Sequence, residues 1–143
     1  MKVSEAMSKN AEYLAPSTTI MAAAKKMRDM DCGFLPVSDE KKEKLQGVIT
    51  DRDITVRAVA EGLSTQETRV DKILSEKVLY CFKDDDIESA ADSMRKQQVY
   101  RLIVLDNKND KNLVGILSLG DIVRHDQESV ASHAAKGISK SAA

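Results

Sequence analysis

Aromatic residues are scarce in this 143-residue chain, which has three tyrosines, two phenylalanines and no tryptophan. Proteins that bind single-stranded nucleic acid stack bases on several aromatic side chains, so that function is not expected. Net charge is also nearly absent, because 22 basic residues offset 23 acidic ones to give a formal charge of -1. No overall positive field would attract nucleic acid or an anionic membrane, and the expected partner is a small molecule or a protein.

Long apolar runs and a secretion pattern are missing as well. No apolar stretch approaches the roughly 20 residues of a membrane-spanning helix, and residues 1–7 lack a basic segment followed by an apolar one. The two cysteines, Cys32 and Cys81, lie in apolar stretches, which favours reduced core thiols over a disulfide framework. We therefore expect a soluble, cytoplasmic protein.

An internal repeat dominates what the sequence does contain. Shifting the chain by about 67 residues aligns Val3 with Val70 and Tyr13 with Tyr80. Further aligned pairs are Ser8 with Ser75, Ile20 with Ile87, Met27 with Met94, Leu35 with Leu102, Val37 with Val104 and, after one extra residue in the second copy, Gly47 with Gly115, Thr50 with Ser118 and Asp53 with Asp121. The chain therefore holds two copies of one unit.

Each copy contains a predicted helix with one apolar face. The residues at helical spacing are Ile20, Ala23, Ala24 and Met27 in the first copy and Ile87, Ala90, Ala91 and Met94 in the second. Thr19 and Asp86 precede these stripes and are suitable N-caps, since a side-chain oxygen can accept a free backbone N–H there. The stripes predict helices that pack on a sheet.

Strands and a second helix complete each copy. Short extended segments are predicted at 12–15 and 78–82, and apolar runs at 34–37 and 102–105 lead through charged turns into 47–49 and 114–117, as in hairpins. The second helix opens at Thr50 or Ser118 with an aspartate three residues later, a spacing that resembles a capping box. The unit is strand, helix, strand, strand, helix, and the fold class is α/β.

Turn-forming residues at 61–66 separate the copies, and the predicted division is 1–62 for the first copy and 63–128 for the second. Alanine, serine, lysine and glycine dominate residues 129–143. Such a composition buries too little apolar surface to offset the entropy of ordering, so a flexible C-terminal tail is expected.

Residues 33–37 and 47–54 together resemble the signature of CBS domains, and residues 100–104 with 115–122 repeat it. The likeness runs from Val3 to about Arg124, and the chain is similar to small stand-alone bacterial proteins made only of a CBS pair, or Bateman module. The resemblance implies two units packed about a pseudo-twofold axis with two clefts between them. It also implies a disk-like homodimer and an adenine nucleotide (AMP, ADP or ATP) or S-adenosylmethionine as ligand, with no cofactor required.

The family pattern would make Asp53 and Asp121 the acids that contact ribose, since a carboxylate can accept hydrogen bonds from two neighbouring hydroxyls. Thr50 and Ser118 begin helices, where free N–H groups and the dipole favour a phosphate. The alternative is that these four residues only form capping boxes, which need the same residue types without any ligand.

Arg101 is the strongest single candidate, because family members often place a basic residue before the apolar strand and a guanidinium suits phosphate oxygens. A surface arginine at a strand start is the alternative. Arg52 is a second candidate for phosphate, or a solvated cation paired with Asp51 or Asp53. Phe34 occupies the place of Arg101 in the first copy, which departs from the pattern.

An apolar slot for adenine is the last candidate feature, with core packing as the alternative, especially for the two leucines. Thr18 and Thr19 would reach the same ligand, although capping alone explains Thr19. Three acids at 84–86 replace that stretch in the second copy and would repel phosphate, so the two clefts are expected to be unequal. The slot residues are Gly33, Phe34, Leu35, Pro36, Tyr100, Leu102 and Ile103.

Catalytic and metal sites are not expected. His125 and His133 lie at or beyond the last predicted helix of the repeat, and their spacing from the cysteines matches no zinc pattern. The sequence thus predicts a non-enzymatic ligand sensor that acts on a separate, unidentified protein. The alternative is a ligand-free module for protein interaction or structure.

Overall fold

The computed structural model describes residues 1–9, 11–39, 44–125 and 127–139. Its contacts divide the chain into two units. The first unit is Glu12–Val78, and the second unit joins Met1–Ala11 to Leu79–Ala143. This division differs from the expected boundaries at 62 and 128, because the leading segment of each repeat belongs to the unit that contains the other repeat.

Short helices and strands alternate along the described chain. The helices are α1 (Val3–Ala6), α2 (Ile20–Met30), α3 (Asp51–Asp53), which continues as a π-helix at Ile54–Val59, a 3-10 helix at Val70–Lys72, α4 (Ile87–Gln97), α5 (Leu119–Arg124) and α6 (Glu128–Ser139). The strands are β1 (Ser8–Lys9), β2 (Phe34–Ser38), β3 (Leu45–Thr50), β4 (Tyr80–Phe82), β5 (Arg101–Leu105) and β6 (Leu113–Ser118).

The second unit contains a four-stranded sheet in the order β1-β6-β5-β4. β5 and β6 form the predicted antiparallel hairpin, and β4 lies parallel to β5. β1, which the sequence analysis did not predict, pairs antiparallel with β6. Gly115 permits this pairing, because a Cβ there would lie 2.6 Å from the carbonyl oxygen of Ser8.

The first unit has the same strand order in a reduced form. β2 and β3 form the predicted hairpin, but the outer pairs are single bridges, Leu14 parallel to Val37 and Ser75 antiparallel to Val48. The strand expected at 12–15 is therefore only one bridge, since Pro16 follows without an N–H to extend a ladder. Gly47 has the same role as Gly115, with a built Cβ 2.4 Å from the Ser75 carbonyl oxygen.

Each unit has its own aliphatic core between helix and sheet. The Thr19 hydroxyl accepts the Ala22 N–H at 3.2 Å, as predicted, whereas Asp86 sits at the N-cap position of α4 without a capping bond from its side chain. Every member of both predicted stripes is buried except Ala24, which is exposed. Its repeat counterpart Ala91 is buried in the core that includes α6 residues.

The expected flexible tail is instead a helix through Ser139, while residues 140–143 lie outside the described part of the chain. Ala131, Ala134 and Ile138 are buried, and α6 packs along α4. This segment is poor in large apolar residues, but these three residues recur on one helical face and still present an apolar stripe that packs on α4. Within the described ranges, no helix is both long and apolar enough to span a membrane.

Candidate ligand-binding site

The candidate residues gather where the first strand of each hairpin begins and the following helix starts. In the second unit, Arg101 pairs in register with Ser118, and the Leu119 N–H donates to the Tyr100 carbonyl at 2.9 Å. The first unit repeats this arrangement with Phe34 opposite Thr50. Strand and helix starts are thus fixed beside each other by backbone hydrogen bonds.

Both predicted capping boxes form. The Thr50 hydroxyl accepts the Asp53 N–H at 3.1 Å, and Asp53 Oδ2 accepts the Thr50 N–H at 3.0 Å. Ser118 and Asp121 make the same pair of bonds at 3.1 and 2.8 Å. One oxygen of each aspartate therefore accepts a capping bond, and the other oxygen takes no part in the cap.

The second carboxylate oxygen differs between the units. Asp121 Oδ1 is bound by Nη2 of Arg124, three residues later, and the Asp121 side chain is only 6% exposed. Asp53 Oδ1 lies 3.7 Å from Nε of Arg57, four residues later, and the Asp53 side chain is 15% exposed. The Asp121 carboxylate is more fully occupied by the protein itself.

Arg57 makes hydrogen bonds elsewhere in the first unit. Its Nη1 donates to the carbonyl oxygens of Ile73 and Leu74 at 3.2 and 3.3 Å. These carbonyls follow the 3-10 helix, so Arg57 ties the π-helix to the leading segment of the second repeat. This tether directs part of the guanidinium away from Asp53.

Arg101 and Arg52 are exposed, and neither guanidinium has a hydrogen bond or ion pair within the described residues. The expected alternative pairing of Arg52 with Asp51 or Asp53 is therefore not formed; Asp53 lies near Arg57 instead. The fold does not use the Arg101 side chain, which leaves its donors for another molecule.

The charge beside the strand start is opposite in the two units. A Cβ on Gly33 would lie 2.6 Å from Oδ2 of Asp51, so this carboxylate covers the backbone just before Phe34. Leu119 takes the place of Asp51 in the second unit, beside Arg101. An acid marks the strand start in the first unit, and a base marks it in the second.

The candidate apolar residues separate into core and surface positions. Leu35 and Leu102 belong to the cores of their units, which agrees with core packing, the alternative to a role in the adenine slot. Pro36 and Ile103 are buried but alternate with those core residues along their strands. Three candidates are less buried: Gly33 and Phe34 are half-buried, and Tyr100 is 49% exposed.

The segments before α2 and α4 are tied to the fold. The Thr18 carbonyl accepts the Val70 N–H at 2.8 Å, and the Thr19 hydroxyl is the cap of α2. In the second unit, Asp85 Oδ2 accepts the Phe82 N–H at 2.9 Å, and Asp84 lies 3.8 Å from Lys2. Two of the three acids at 84–86 therefore have local partners within the unit.

Sequence reasoning missed Arg57 and Arg124 as partners of the two aspartates. Their signal was present, because a basic residue three or four positions after an acid lies on the same helix face. Cys81 also differs from an ordinary thiol: burial, with a smaller contribution from the charge of Asp85, raises its pKa to about 12. No three His, Cys, Asp or Glu side chains cluster as metal ligands within the described residues.

Comparison with known proteins identifies relatives that consist largely of the same region. The chain is 33% identical to the CBS domain-containing protein YhcV of Bacillus subtilis over 84% of this chain and 81% of that protein. It is also 33% identical to hypoxic response protein 1 of Mycobacterium tuberculosis over 75% of this chain and 72% of that protein.

Solved structures show the same fold. The crystal structure of hypoxic response protein I with two coordinated zinc ions matches with a TM-score of 0.78 and 29% identity, covering 87% of this chain and 98% of that one. The CBS domain pair of protein MJ0100, in complex with 5′-methylthioadenosine and S-adenosyl-L-methionine, gives 0.73 and 28%, covering 90% and 98%. CBSX2 in complex with AMP gives 0.74 and 25%, covering 90% and 97%.

The profile of the CBS domain family matches residues 3–59 and again residues 70–128, the two copies of the repeat. The structure agrees with this match, because each unit has the same hairpin and capping box. The solved structures of CBS proteins share its fold. The chain therefore belongs to the CBS domain family, as a tandem CBS pair.

Proposed function

We propose that this CBS pair is a regulatory module that binds an adenosine-containing ligand and acts on a separate protein partner, without catalysing a reaction itself. The ligand class is an adenine nucleotide (AMP, ADP or ATP) or S-adenosylmethionine. A cytoplasmic location and the homodimer implied by the family resemblance belong to the same proposal.

The observation that carries the proposal is the exposed guanidinium of Arg101, which has no protein partner within the described residues. It starts β5 opposite Ser118, beside the start of α5. A planar guanidinium with several donors binds phosphate oxygens in a bidentate manner. Capping alone explains Ser118 and Asp121 but gives no reason for a basic side chain at this position.

The relatives support the ligand class. The CBS pair of MJ0100 was crystallised with two adenosine derivatives and CBSX2 with AMP, and both share the fold of this chain. Within the second unit, we assign the phosphate to Arg101 and the ribose hydroxyls to the Asp121 oxygen that the capping box does not use. Tyr100 supplies exposed aromatic surface for adenine in that unit, and Phe34 and Asp53 are the corresponding candidates in the first unit.

The asymmetry of charge makes the second unit the expected phosphate side. Asp51 would repel a phosphate beside Phe34, whereas Leu119 brings no charge beside Arg101. Arg52 remains a further candidate for phosphate in the first unit, because its guanidinium is exposed and has no ion pair within the described residues.

Calorimetry and thermal unfolding test the proposal with AMP, ADP, ATP and S-adenosylmethionine. A ligand that binds only the folded state raises the melting temperature. Arg101→Ala should weaken binding of the nucleotides by about ten- to a hundred-fold, because a hydrogen bond to a charged group contributes roughly 1.5–3 kcal/mol. Lys108→Ala is the matched control, since it removes one exposed positive charge from the hairpin turn of the same unit and should leave affinity unchanged.

Arg101 is a better test than either aspartate. Replacing Asp53 or Asp121 by alanine removes a capping box together with a ligand contact, so lost binding and lost folding would coincide. If no ligand shifts the melting temperature of the wild-type protein at millimolar concentration, the ligand-binding proposal is wrong and a ligand-free interaction module is favoured instead.

A further inference from the structure

We propose that Arg124 competes with the ribose of a bound ligand for Asp121 and is thereby a specificity-determining residue of the second unit. Its guanidinium occupies the one oxygen of Asp121 that the capping box leaves over. A ligand with two neighbouring hydroxyls would therefore compete with Arg124 for this oxygen. This inference rests on the proposed function and adds a reason for unequal ligand contacts in the two units.

The geometry at Asp121 leaves little of its carboxylate for a ligand. Oδ2 accepts the Ser118 N–H at 2.8 Å, and Oδ1 is bound by Nη2 of Arg124. The carboxylate is 6% exposed, whereas the Arg124 side chain is 67% exposed. Both oxygens of Asp121 therefore already accept a hydrogen bond, and one of the two donors, Arg124, is exposed to water.

Asp53 in the first unit lacks the arginine hydrogen bond that Asp121 has. Its outer oxygen lies 3.7 Å from the nearest guanidinium nitrogen, beyond hydrogen-bond distance. Arg57 gives its Nη1 to the carbonyls of Ile73 and Leu74 instead. The outer oxygen of Asp53 is therefore not hydrogen-bonded to Arg57, whereas the corresponding oxygen of Asp121 is bound by Arg124.

The difference follows from a one-residue change in the repeat. The first copy has the sequence Asp-Ile-Thr-Val-Arg from position 53, and the second has Asp-Ile-Val-Arg from position 121. The longer version continues as a π-helix, and the shorter one remains an α-helix. The three-residue spacing along the α-helix makes Arg124 a surface neighbour of Asp121. In contrast, Nη1 of Arg57, on the π-helix, donates to the carbonyls of Ile73 and Leu74.

The Arg124 ion pair is suited to exchange with a ligand. Because the arginine is mostly exposed, water screens the pair and replaces the lost contacts when the side chain swings away. A ligand would therefore displace Arg124 at a modest loss of affinity. Removing the arginine should restore this affinity without touching the capping bonds of Asp121.

The experiment compares wild type, Arg124→Gln and Arg95→Gln by calorimetry with AMP, 2′-deoxy-AMP and S-adenosylmethionine. Arg95 pairs with Asp92 at the same three-residue spacing in the same unit, so Arg95→Gln is matched in charge and in type of ion pair. Arg124→Gln should bind AMP roughly two- to five-fold more tightly, as expected when one solvent-screened ion pair no longer competes. This gain should be absent with 2′-deoxy-AMP, which lacks the diol, and Arg95→Gln should match wild type.

The direction of the effect separates the proposal from general electrostatics, because losing a positive charge should weaken binding of an anionic nucleotide. The proposal is overturned if wild type binds AMP and Arg124→Gln binds it equally or more weakly, or if the gain persists with 2′-deoxy-AMP. Binding of AMP by Arg124→Gln but not by wild type supports it. If neither protein binds AMP or S-adenosylmethionine, the proposed function itself has failed, which is a different result from wild-type binding without a gain.

Discussion

The two units start from the same repeat but complete it to different degrees. The sheet of the second unit has four paired strands and a covering helix, whereas that of the first has one hairpin with a single bridge on each side. Ala24 is exposed in the first unit, where the second unit buries Ala91. The repeat itself specifies the hairpin and the capped helix start in both. In the second unit, α6 packs along α4 and covers the face that holds Ala91.

The candidate ligand contacts differ in the same way. The shared parts are the capping boxes, and the differing parts are single residues around them: Arg101 against Phe34, Leu119 against Asp51, and Arg124 against Arg57. A duplicated fold can therefore keep its framework in both copies while its binding properties diverge, because the framework bonds are made mostly by backbone groups and capping residues.

The largest expected difference concerns the helix face that only the second unit covers. Ala91→Glu places a charge where the residue is 3% exposed, and we expect unfolding to become easier by about 2–5 kcal/mol, because the carboxylate must be buried or α6 displaced. Ala24→Glu, at the same repeat position in the first unit, should change stability by less than about 0.5 kcal/mol. Urea denaturation followed by circular dichroism measures both, and equal losses would contradict the comparison.

A smaller effect is expected at the contact between α6 and α4. A Cβ on Gly137 would lie 1.9 Å from Cγ of Arg95, so Gly137→Ala should cost about 1–3 kcal/mol through overpacking. Gly120→Ala is the control, because its Cβ would meet the end of the Arg124 side chain at 3.3 Å and Ser118 Oγ at 3.6 Å, with no severe overlap. That variant should be neutral or gain up to about 1 kcal/mol in helix propensity. A neutral Gly137→Ala would show that α6 does not pack against α4 as described.

The smallest expected effect separates the two thiols. Cys81 of the second unit has its pKa raised to about 12, while Cys32 of the first unit is half-buried. A raised pKa in the folded state means that the unfolded chain releases its proton first, so stability is retained below pH 9 and declines as pH rises from 9 toward 12. Wild type should lose on the order of 1 kcal/mol more than Cys81→Ala by pH 10.

Alkylation gives an independent measure of the same difference. At pH 8 in native buffer, iodoacetamide should modify Cys32 well before Cys81, because the thiolate is the reactive form and burial keeps Cys81 protonated. Mass spectrometry of peptides after timed reaction locates the label. Equal rates at the two cysteines would show that Cys81 is accessible in the folded protein.

Much of the fold could be predicted from local patterns. The hairpins, the apolar stripes of α2 and α4 and the capping boxes at Thr50 and Ser118 depend on residues close in sequence, and all were predicted. Ala24 was assigned correctly to a helix and wrongly to its buried face. Whether an alanine on such a face is covered depends on a distant segment, so local periodicity could not decide it.

The candidate site was predictable to a similar extent. The sequence indicated Arg101, Asp53 and Asp121 as candidates and gave both aspartates the same predicted role, contact with ribose. Their difference arises from which donor reaches the outer carboxylate oxygen, and this depends on the path of the helix after each aspartate. A long arginine side chain has several rotamers and can reach several local partners, and packing selects one of them.

The sequence by itself determined the duplication, the family and the positions of caps, hairpins and candidate ligand residues, because each depends on residue type and short-range spacing. Only the tertiary structure decided that the leading segment of each repeat pairs with the hairpin of the other, that α6 covers α4, and that Arg124 rather than water binds Asp121. The first two outcomes depend on contacts between segments distant in the chain, where close approach at Gly47 and Gly115 and burial of a small apolar stripe select one arrangement among many. The third depends on which of its local partners the arginine side chain reaches.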